Sequence, residues 1–455
     1  MPDVVIVGAG PAGIRAAAVL RANGLRPILL DEGRSGGGQG YRAPSPGLPL
    51  DMDDMMGSEA AKYRALHACF ADLRAQIDYR PSTLVWAVQD KTLHVISDGR
   101  SSSVAYDALI VATGAMDRIM PMPGWTTPGV FTLGGAQVAL KDQGCFIGRR
   151  VVFCGSSPLL SLAALQYHKL GAEVVAVCDT TPFKAKVMAA PFLADAPRTV
   201  LRGLGYLRAL KRAGVAVVHG ATLVAVEGED RVRALLARDH RGRERRFACD
   251  AIALGYGLKP ETQLAELAGA ELRFHRGFRL WLPEIDEDGR AGPSLYLAGD
   301  GVAIGGADAA EASGGLAAYA ALSDLGIDAD SNALRALRTR VGRLRRFQRG
   351  LARAFAWPWE NAARLADEVM LCRCENVTVG DIRRAMDQPL GPTEVNRVKA
   401  MTRCGMGRCQ GRVCGPALQE VVASYAGIPP EAAGRLRAQA PIKPLALSVA
   451  EAPAA

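Results

Sequence analysis

The chain has 455 residues, 49% of them apolar and 22% charged, with a net charge of +9. Such a length is a prior for about three domains, and such a balance excludes a disordered or fibrous protein. No apolar run approaches the roughly 18 residues a membrane span needs, so an integral membrane protein is excluded as well. The charge excess is local. Residues 331–353 hold Arg335, Arg338, Arg340, Arg343, Arg345, Arg346, Arg349 and Arg353 and no acid, and these eight carry all but one unit of it. They predict one basic helix, read either as a solvated face or as a contact for an acidic partner. A nucleic-acid surface would need basic residues over a broad face with aromatics beside them, so no nucleic acid is expected.

In chain order, VVIV (residues 4–7) reads as a buried strand with no basic leader before it, so no secretory signal is expected. Gly8-Ala9-Gly10-Pro11-Ala12-Gly13 is a turn, residues 14–23 a helix, and residues 27–30 a second strand followed by Asp31 and Glu32. Asp31 stands 18 residues after Gly13, close to the dinucleotide fingerprint. In that fingerprint Gly8 permits the tight turn, Gly10 lets the backbone approach a pyrophosphate, and Gly13 lets the helix pack on the strand. The helix N-terminus supplies N–H donors to the phosphates, and Asp31 or Glu32 accepts from ribose hydroxyls.

The pattern recurs 147 residues later: VVFC, then Gly155-Ser156-Ser157-Pro158-Leu159-Leu160, a helix, and EVVAVCD. Here Ser157 and Leu160 replace the second and third glycines. A Cβ at the second position obstructs a pyrophosphate, and Leu160 pushes the helix off the strand, so a retained fold without an NAD(P) site is expected. Two such units at this spacing suggest one nucleotide-binding domain inserted into another. The expected division is a discontinuous first domain (residues 1–120 and 251–330), a degenerate second domain (121–250), an Arg-rich helical linker (331–370), a cysteine-bearing unit (371–440) and a frayed tail (441–455).

Of ten cysteines, Cys372, Cys374, Cys404, Cys409 and Cys414 fall within 43 positions. Without an export signal the expected compartment is the reducing cytoplasm, where such a cluster reads as a metal site rather than as bridges. Thiolates suit zinc or iron–sulfur clusters, and a tight C-x-C pair suits two ligands on one iron. Cys154 and Cys178 are expected to be buried apolar residues, and no C-x-x-C dithiol accompanies the first helix. No Ser/His/Asp grouping or carboxylate pair with a nearby base stands out, and the six histidines are scattered. No catalytic residue is assigned.

VATGA (residues 111–115) and YLAGDG (296–301) accompany the first glycine loop. The turn at Thr113-Gly114 lets the chain leave one domain close to a flavin, and Gly299-Asp300 places a carboxylate for a ribityl chain. On these motifs residues 1–320 resemble the two-dinucleotide-domain flavoproteins that include glutathione reductase and ferredoxin reductases. The resemblance implies an α/β fold of two Rossmann-like domains, one inserted in the other, with FAD in the first. The stretch from CRCENVTVGDIRRAM to TRCGMGRCQGRVCG resembles the bacterioferritin-associated-ferredoxin type of small helical 2Fe–2S domain. That resemblance implies Cys372, Cys374, Cys409 and Cys414 as ligands, while the spacing C404-x4-C409 makes a rival pair.

Three further segments tighten the assignment: GGGQGYR (36–42), with Gln39 and Arg42 as further cofactor contacts, PGWTTPGVFTLGGAQ (123–137) and LGYGLKPETQLAELAG (254–269). With TRCGMGRCQGR they resemble the A-type flavoprotein subunit of opine oxidases, a family that includes the B subunit of hydrogen cyanide synthase and alpha subunits of dye-linked proline and hydroxyproline dehydrogenases. The resemblance implies an electron-transferring subunit. Its partners would be an amine-oxidising flavoprotein (beta) subunit, with room for a small third subunit, and an electron acceptor. It leaves open FMN at a subunit interface, another adenine nucleotide in the first site, and peripheral membrane association through the complex. The alternative is a self-contained NAD(P)H-dependent flavin reductase with a fused ferredoxin.

Overall fold

The computed structural model describes residues 1–446 and the backbone of 450–451. Two parallel sheets organise the chain. The first runs in the order Arg290–Gly292, Leu295–Leu297, Ala108–Val111, Val4–Val7, Ile28–Leu30, Asp78–Arg80, and only its Arg290–Gly292 edge is antiparallel. The second runs Ala216–His219, Glu173–Asp179, Arg150–Gly155, Ala251–Gly255, Val130–Thr132, all parallel. Their central strands read as continuous apolar runs because both faces are covered, one by helices and the other by antiparallel strands from Thr83–Ala105 in the first sheet and from Thr222–Ala248 in the second. The first sheet's strands come from both ends of the flavoprotein portion, and the second sheet's strands lie between them in sequence. Ala115–Asp117 and Leu258–Pro260 pair antiparallel where the chain crosses from one to the other and back. This is the nested α/β class that the two glycine loops predict.

The helix Pro11–Ala22 starts three residues before its expected beginning, with Pro11 in its first turn, where the missing N–H costs nothing. It packs on the Ala-rich helix Ala307–Asp324, and a Cβ on Gly314 would fall 2.0 Å from the Ala12 carbonyl oxygen. Cys154 and Cys178 lie side by side in the second sheet, fully buried with Cys249 nearby, and burial pushes their thiols up. The antiparallel pieces Thr83–Ala105, Thr222–Ala248 and Leu272–Pro283 are not anticipated by the sequence reading.

The Arg-rich segment is one helix, Ser331–Ala354. It is not simply a solvated face. Arg338 forks onto Asp288 (2.6 and 2.7 Å), Arg346 pairs with Asp195 (2.9 Å), and Arg353 lies 4.1 Å from the Phe192 ring centre. The chain then runs through Trp357 into a small C-terminal unit. A two-stranded piece (Met370–Cys372 with Val377–Thr378) precedes the helices Val379–Met386, Val395–Thr402 and Gly415–Ala426. The first of these opens on a capping box between Thr378 and Asp381. Fraying from Pro441 onward is not observed at its start, because Ile442 is buried and its N–H donates to the Trp86 carbonyl (3.0 Å). Residues 447–449 and 452–455 of the expected tail lie outside the described residues. Among the described residues no helix is long and apolar enough to cross a membrane.

Buried Glu420 ties the C-terminal unit to the rest. Its carboxylate accepts two bonds from Arg279 (2.9 and 2.5 Å) and one from Trp357 Nε1 (3.1 Å). Glu420→Ala strands both donors. A fully buried pair broken this way costs about 3–5 kcal/mol, and because Arg279 keeps some water we expect about 2–3 kcal/mol. Thermal melting measures the loss, and proteolysis should accelerate between residues 354 and 366.

Candidate functional site

The first glycine loop leaves strand Val4–Val7 and enters the helix Pro11–Ala22. Gly8 sits at φ +108°, and a Cβ on Gly13 would lie 1.8 Å from the Gly8 carbonyl oxygen, so helix and strand touch through bare backbone. Gly10 differs: a Cβ there meets only Gly38 Cα at 3.7 Å. The space above Gly10 is therefore left for a ligand. No side chain caps this helix and its first turn holds no acid, so the N–H groups of Ala12 and Gly13 remain available for phosphate.

The structure separates the two candidate ribose acids. Asp31 turns back to the loop, accepting from the Ala9 N–H (2.5 Å) and the Gly33 N–H (2.6 Å). Burial raises its pKa, against the pull of those two bonds. Glu32 points away and pairs with Lys443 (2.6 Å). The GGGQGYR segment folds over the same loop: the Gly37 N–H donates to the Ala9 carbonyl (2.8 Å), and a Cβ on Gly38 would reach Gly10 Cα at 3.0 Å. Gln39 is exposed at its tip, and Arg42 is committed to Asp142 (3.0 Å).

Opposite the loop, Gly299 presses on Ala12, and its N–H donates to Ser313 Oγ (2.8 Å). Asp300 accepts from the Gly305 and Gly306 N–H groups (2.7 and 3.0 Å), while burial raises its pKa. It borders a cavity of about 310 Å³ walled by Phe274, Phe278, Leu282, Arg345 and Gln348. The Thr113 hydroxyl donates to the Glu261 carbonyl (2.7 Å), and the Glu261 N–H to the Gly114 carbonyl (2.9 Å). A glycine cradle, an uncapped helix end and two desolvated carboxylates suit FAD. Its pyrophosphate would lie at Gly10–Gly13, its ribose at Asp31 and its ribityl chain at Asp300.

The second loop is covered by the chain itself. The Ser156 hydroxyl donates to the Ala356 carbonyl (3.0 Å), and Ser157 Oγ accepts from the Leu159 N–H (3.2 Å). Trp357 stands edge-on to Tyr256, with ring centres 6.1 Å apart, and takes the Arg118 guanidinium on its face at 3.8 Å. Asp179, the acid ending this unit's second strand, is already bonded by Lys186 and by the Thr181 N–H (2.9 Å).

The cysteine cluster is denser than its four expected ligands. The Sγ atoms of Cys372, Cys404 and Cys414 lie within 4.8 Å of one another. Cys409 lies beside Cys414 and Cys374, so all five cysteines gather in one region. Bonds from Cys404 and Cys414 hold the Cys372 thiol far below its usual range, and the same bonds push those two up. The Trp125 indole donates to the Met370 carbonyl (2.6 Å) and anchors the C-x-C strand, which gives the PGWT segment its role. A Cβ on Gly407 would lie 2.4 Å from Cys374 Cβ, so the later loop closes directly on the C-x-C pair. Grouped soft thiols under close backbone fit a 2Fe–2S cluster.

Sequence reasoning missed Glu261 and Arg412, although both lie in segments that carried the resemblance. Their pairing across 151 positions leaves no local signal. For the nucleotide site the structure predicts that Gly10→Val, which fills the space above the loop, yields protein lacking the visible flavin absorbance band. Ser157→Gly should add no NADH binding, because Ala356 still covers the neighbouring serine. Absorbance and calorimetric titration check the two.

Residues 2–315 match the pyridine nucleotide-disulphide oxidoreductase family, and residues 370–424 match the BFD-like [2Fe-2S] binding domain. The chain is 37% identical to the opine oxidase A subunit from Agrobacterium tumefaciens, over 98% of this chain and 90% of that one. It is 33% identical to the HcnB subunit of hydrogen cyanide synthase from Pseudomonas protegens, over 90% and 89%. The fold of L-proline dehydrogenase from P. horikoshii superposes with a TM-score of 0.69 at 23% identity, over 98% of this chain and 79% of that one. The chain thus belongs to the family of opine oxidase A subunits and HcnB, as an oxidoreductase flavoprotein carrying FAD and a 2Fe–2S domain.

Proposed function

We propose that the chain is the electron-accepting subunit of a hetero-oligomeric amino-acid, imino-acid or opine dehydrogenase, whose partner flavoprotein oxidises the substrate's C–N bond. The observation that carries this reading is the pairing of a dinucleotide cradle with a cysteine cluster, while the chain covers its own second nucleotide loop at Ser156. The relatives' names support it, since the opine oxidase A subunit and HcnB are each one subunit of a larger enzyme. When bound, the flavin accepts electrons in pairs and the cluster accepts them singly, so together they convert a two-electron donor into one-electron steps.

The chain's own residues bind and position. The Ala12 and Gly13 N–H groups take the pyrophosphate, Asp31 the ribose and Asp300 the ribityl hydroxyls. Cys372, Cys374, Cys409 and Cys414 hold the cluster, and Cys404 stays a buried neighbour. Proton abstraction from an amine is left to the partner, because the two carboxylates beside this cradle, Asp31 and Asp300, are committed to backbone N–H groups and to the cofactor's hydroxyls. All ten cysteines are free, which suits a reducing cytoplasm.

Serine at any of the four ligand positions should abolish the cluster's visible absorbance, whereas Cys404→Ser should spare it; the reverse pattern at Cys404 and Cys414 overturns the ligand set. The chain alone should give no amine-dependent dye reduction, and adding the partner flavoprotein should restore it. Full-rate oxidation of an amino acid or opine by the isolated chain contradicts the division of labour. Fast flavin bleaching on stopped-flow mixing with NADH would point to the reductase reading instead.

A further inference from the structure

Between the flavin-side turn and the cluster loop lies a buried charge pair. Arg412 sits inside the C409-x4-C414 loop and is only 8% exposed as a side chain. Its Nε donates to Glu261 Oε2 (2.5 Å) and its Nη1 to the Ile442 carbonyl (2.7 Å), while Nη2 is buried without a partner among the described residues. Glu261 is nearly as enclosed. Its other carboxylate oxygen accepts from the Gln263 N–H (3.2 Å), and the Gln263 side chain donates onward to the Gln410 carbonyl (2.8 Å). The Glu261 backbone is the one bonded to Thr113 and Gly114. A single residue thus joins the flavin-side turn through its main chain to the cluster loop through its side chain.

A buried ion pair is weak evidence for stability, because desolvating both ions offsets most of their attraction. An apolar pair would close this seam at no greater cost. Burial pushes the Glu261 carboxyl up, but the charges of Arg412 and Lys259 more than reverse it, so the carboxylate is ionised. The group therefore brings fixed charges of both signs, poorly screened, to within a few bonds of Cys409 and Cys414.

We propose that the Glu261–Arg412 pair is a positioning device that holds the cluster loop on the flavin-side turn and sets the cluster's reduction potential, Arg412 raising it and Glu261 lowering it. The inference rests on a 2Fe–2S cluster in this loop and not on any partner protein. Reduction adds one electron to the cluster, supplied in the test by dithionite, and makes it one unit more negative. A nearby cation favours that reduced form and a nearby anion opposes it.

The experiment is a dithionite titration of the full-length chain followed by visible and EPR spectra, which reports the potential without turnover. Glu261→Gln should shift the reduction equilibrium about tenfold toward the reduced cluster, about 59 mV upward for a one-electron couple. Arg412→Gln should shift it about as far downward, and the double variant should return close to the wild-type value. A merely structural clamp predicts something else: each variant loosens the loop, both shifts share one sign, and the double is at least as displaced as either. Shifts of one sign, or no shift with the cluster retained, overturn the proposal. If Arg412→Gln fails to load a cluster, Arg412→Lys keeps the charge with fewer donors and should leave the potential near wild type; a large shift there overturns the electrostatic role. If the cysteine assignment is wrong instead, no variant disturbs a cluster that sits elsewhere, while the serine variants of the cysteines reveal where it is.

Discussion

Glu420 is the contact on which the arrangement of the two halves depends. It projects from the helix that follows the last cysteine, and it is the common acceptor for Arg279 of a flavoprotein hairpin and Trp357 of the linker. Arg118 stacks on the same Trp357 and donates to the carbonyls of Phe278 and Arg279 (3.0 and 2.6 Å), so hairpin, linker and cluster unit close around one point. Burial pushes the Arg118 pKa down to about 9, the electrostatic cost of placing a cation there. Further contacts cross the same seam, among them Trp125 with Met370, Glu261 with Arg412, Gln263 with Gln410 and Arg435 with Glu266 (2.6 Å).

The two glycine loops show how little chemistry separates a working nucleotide cradle from a covered one. Both follow an apolar strand and both precede a helix. In the first, the position that must stay bare is Gly10, and the segment folded over it is itself glycine-rich. In the second, that position is Ser157, whose hydroxyl is turned inward to its own helix, while Ser156 is capped by a carbonyl from the linker. The side chain that spoils the loop for a pyrophosphate, Ser157, stands beside Ser156, the one on which the linker folds down.

Much of this was legible in the sequence. The parallel sheets follow from continuous apolar runs bounded by glycine turns, and the cofactor types follow from the family resemblances that the locally spaced motifs carry. What the sequence did not carry was anything settled by distant pairing. Asp31 and Glu32 are adjacent and chemically alike, and the Lys443 contact of one and the Ala9 and Gly33 N–H groups on the other separate them. Cys404 entered the sequence reading as a rival ligand, ranked behind the four positions of the resembled family, whereas the fold brings its sulfur close to those of Cys372 and Cys414. The antiparallel meander at 83–105 has the alternation of a half-exposed sheet but no motif to draw attention to it. The Arg-rich helix read as one uniform basic face, yet Asp195 and Asp288, far away in sequence, neutralise part of it.

The linker over the second loop has a kinetic meaning. A tethered segment competes with a free ligand at an effective concentration set by its tether, of order millimolar for a short one. Residues 355–359 are held at both ends, by the Ser331–Ala354 helix and by Glu420, so their local concentration does not fall when cellular nucleotide rises. On the function proposed above, reduction of the flavin would then be insulated from the nicotinamide pool.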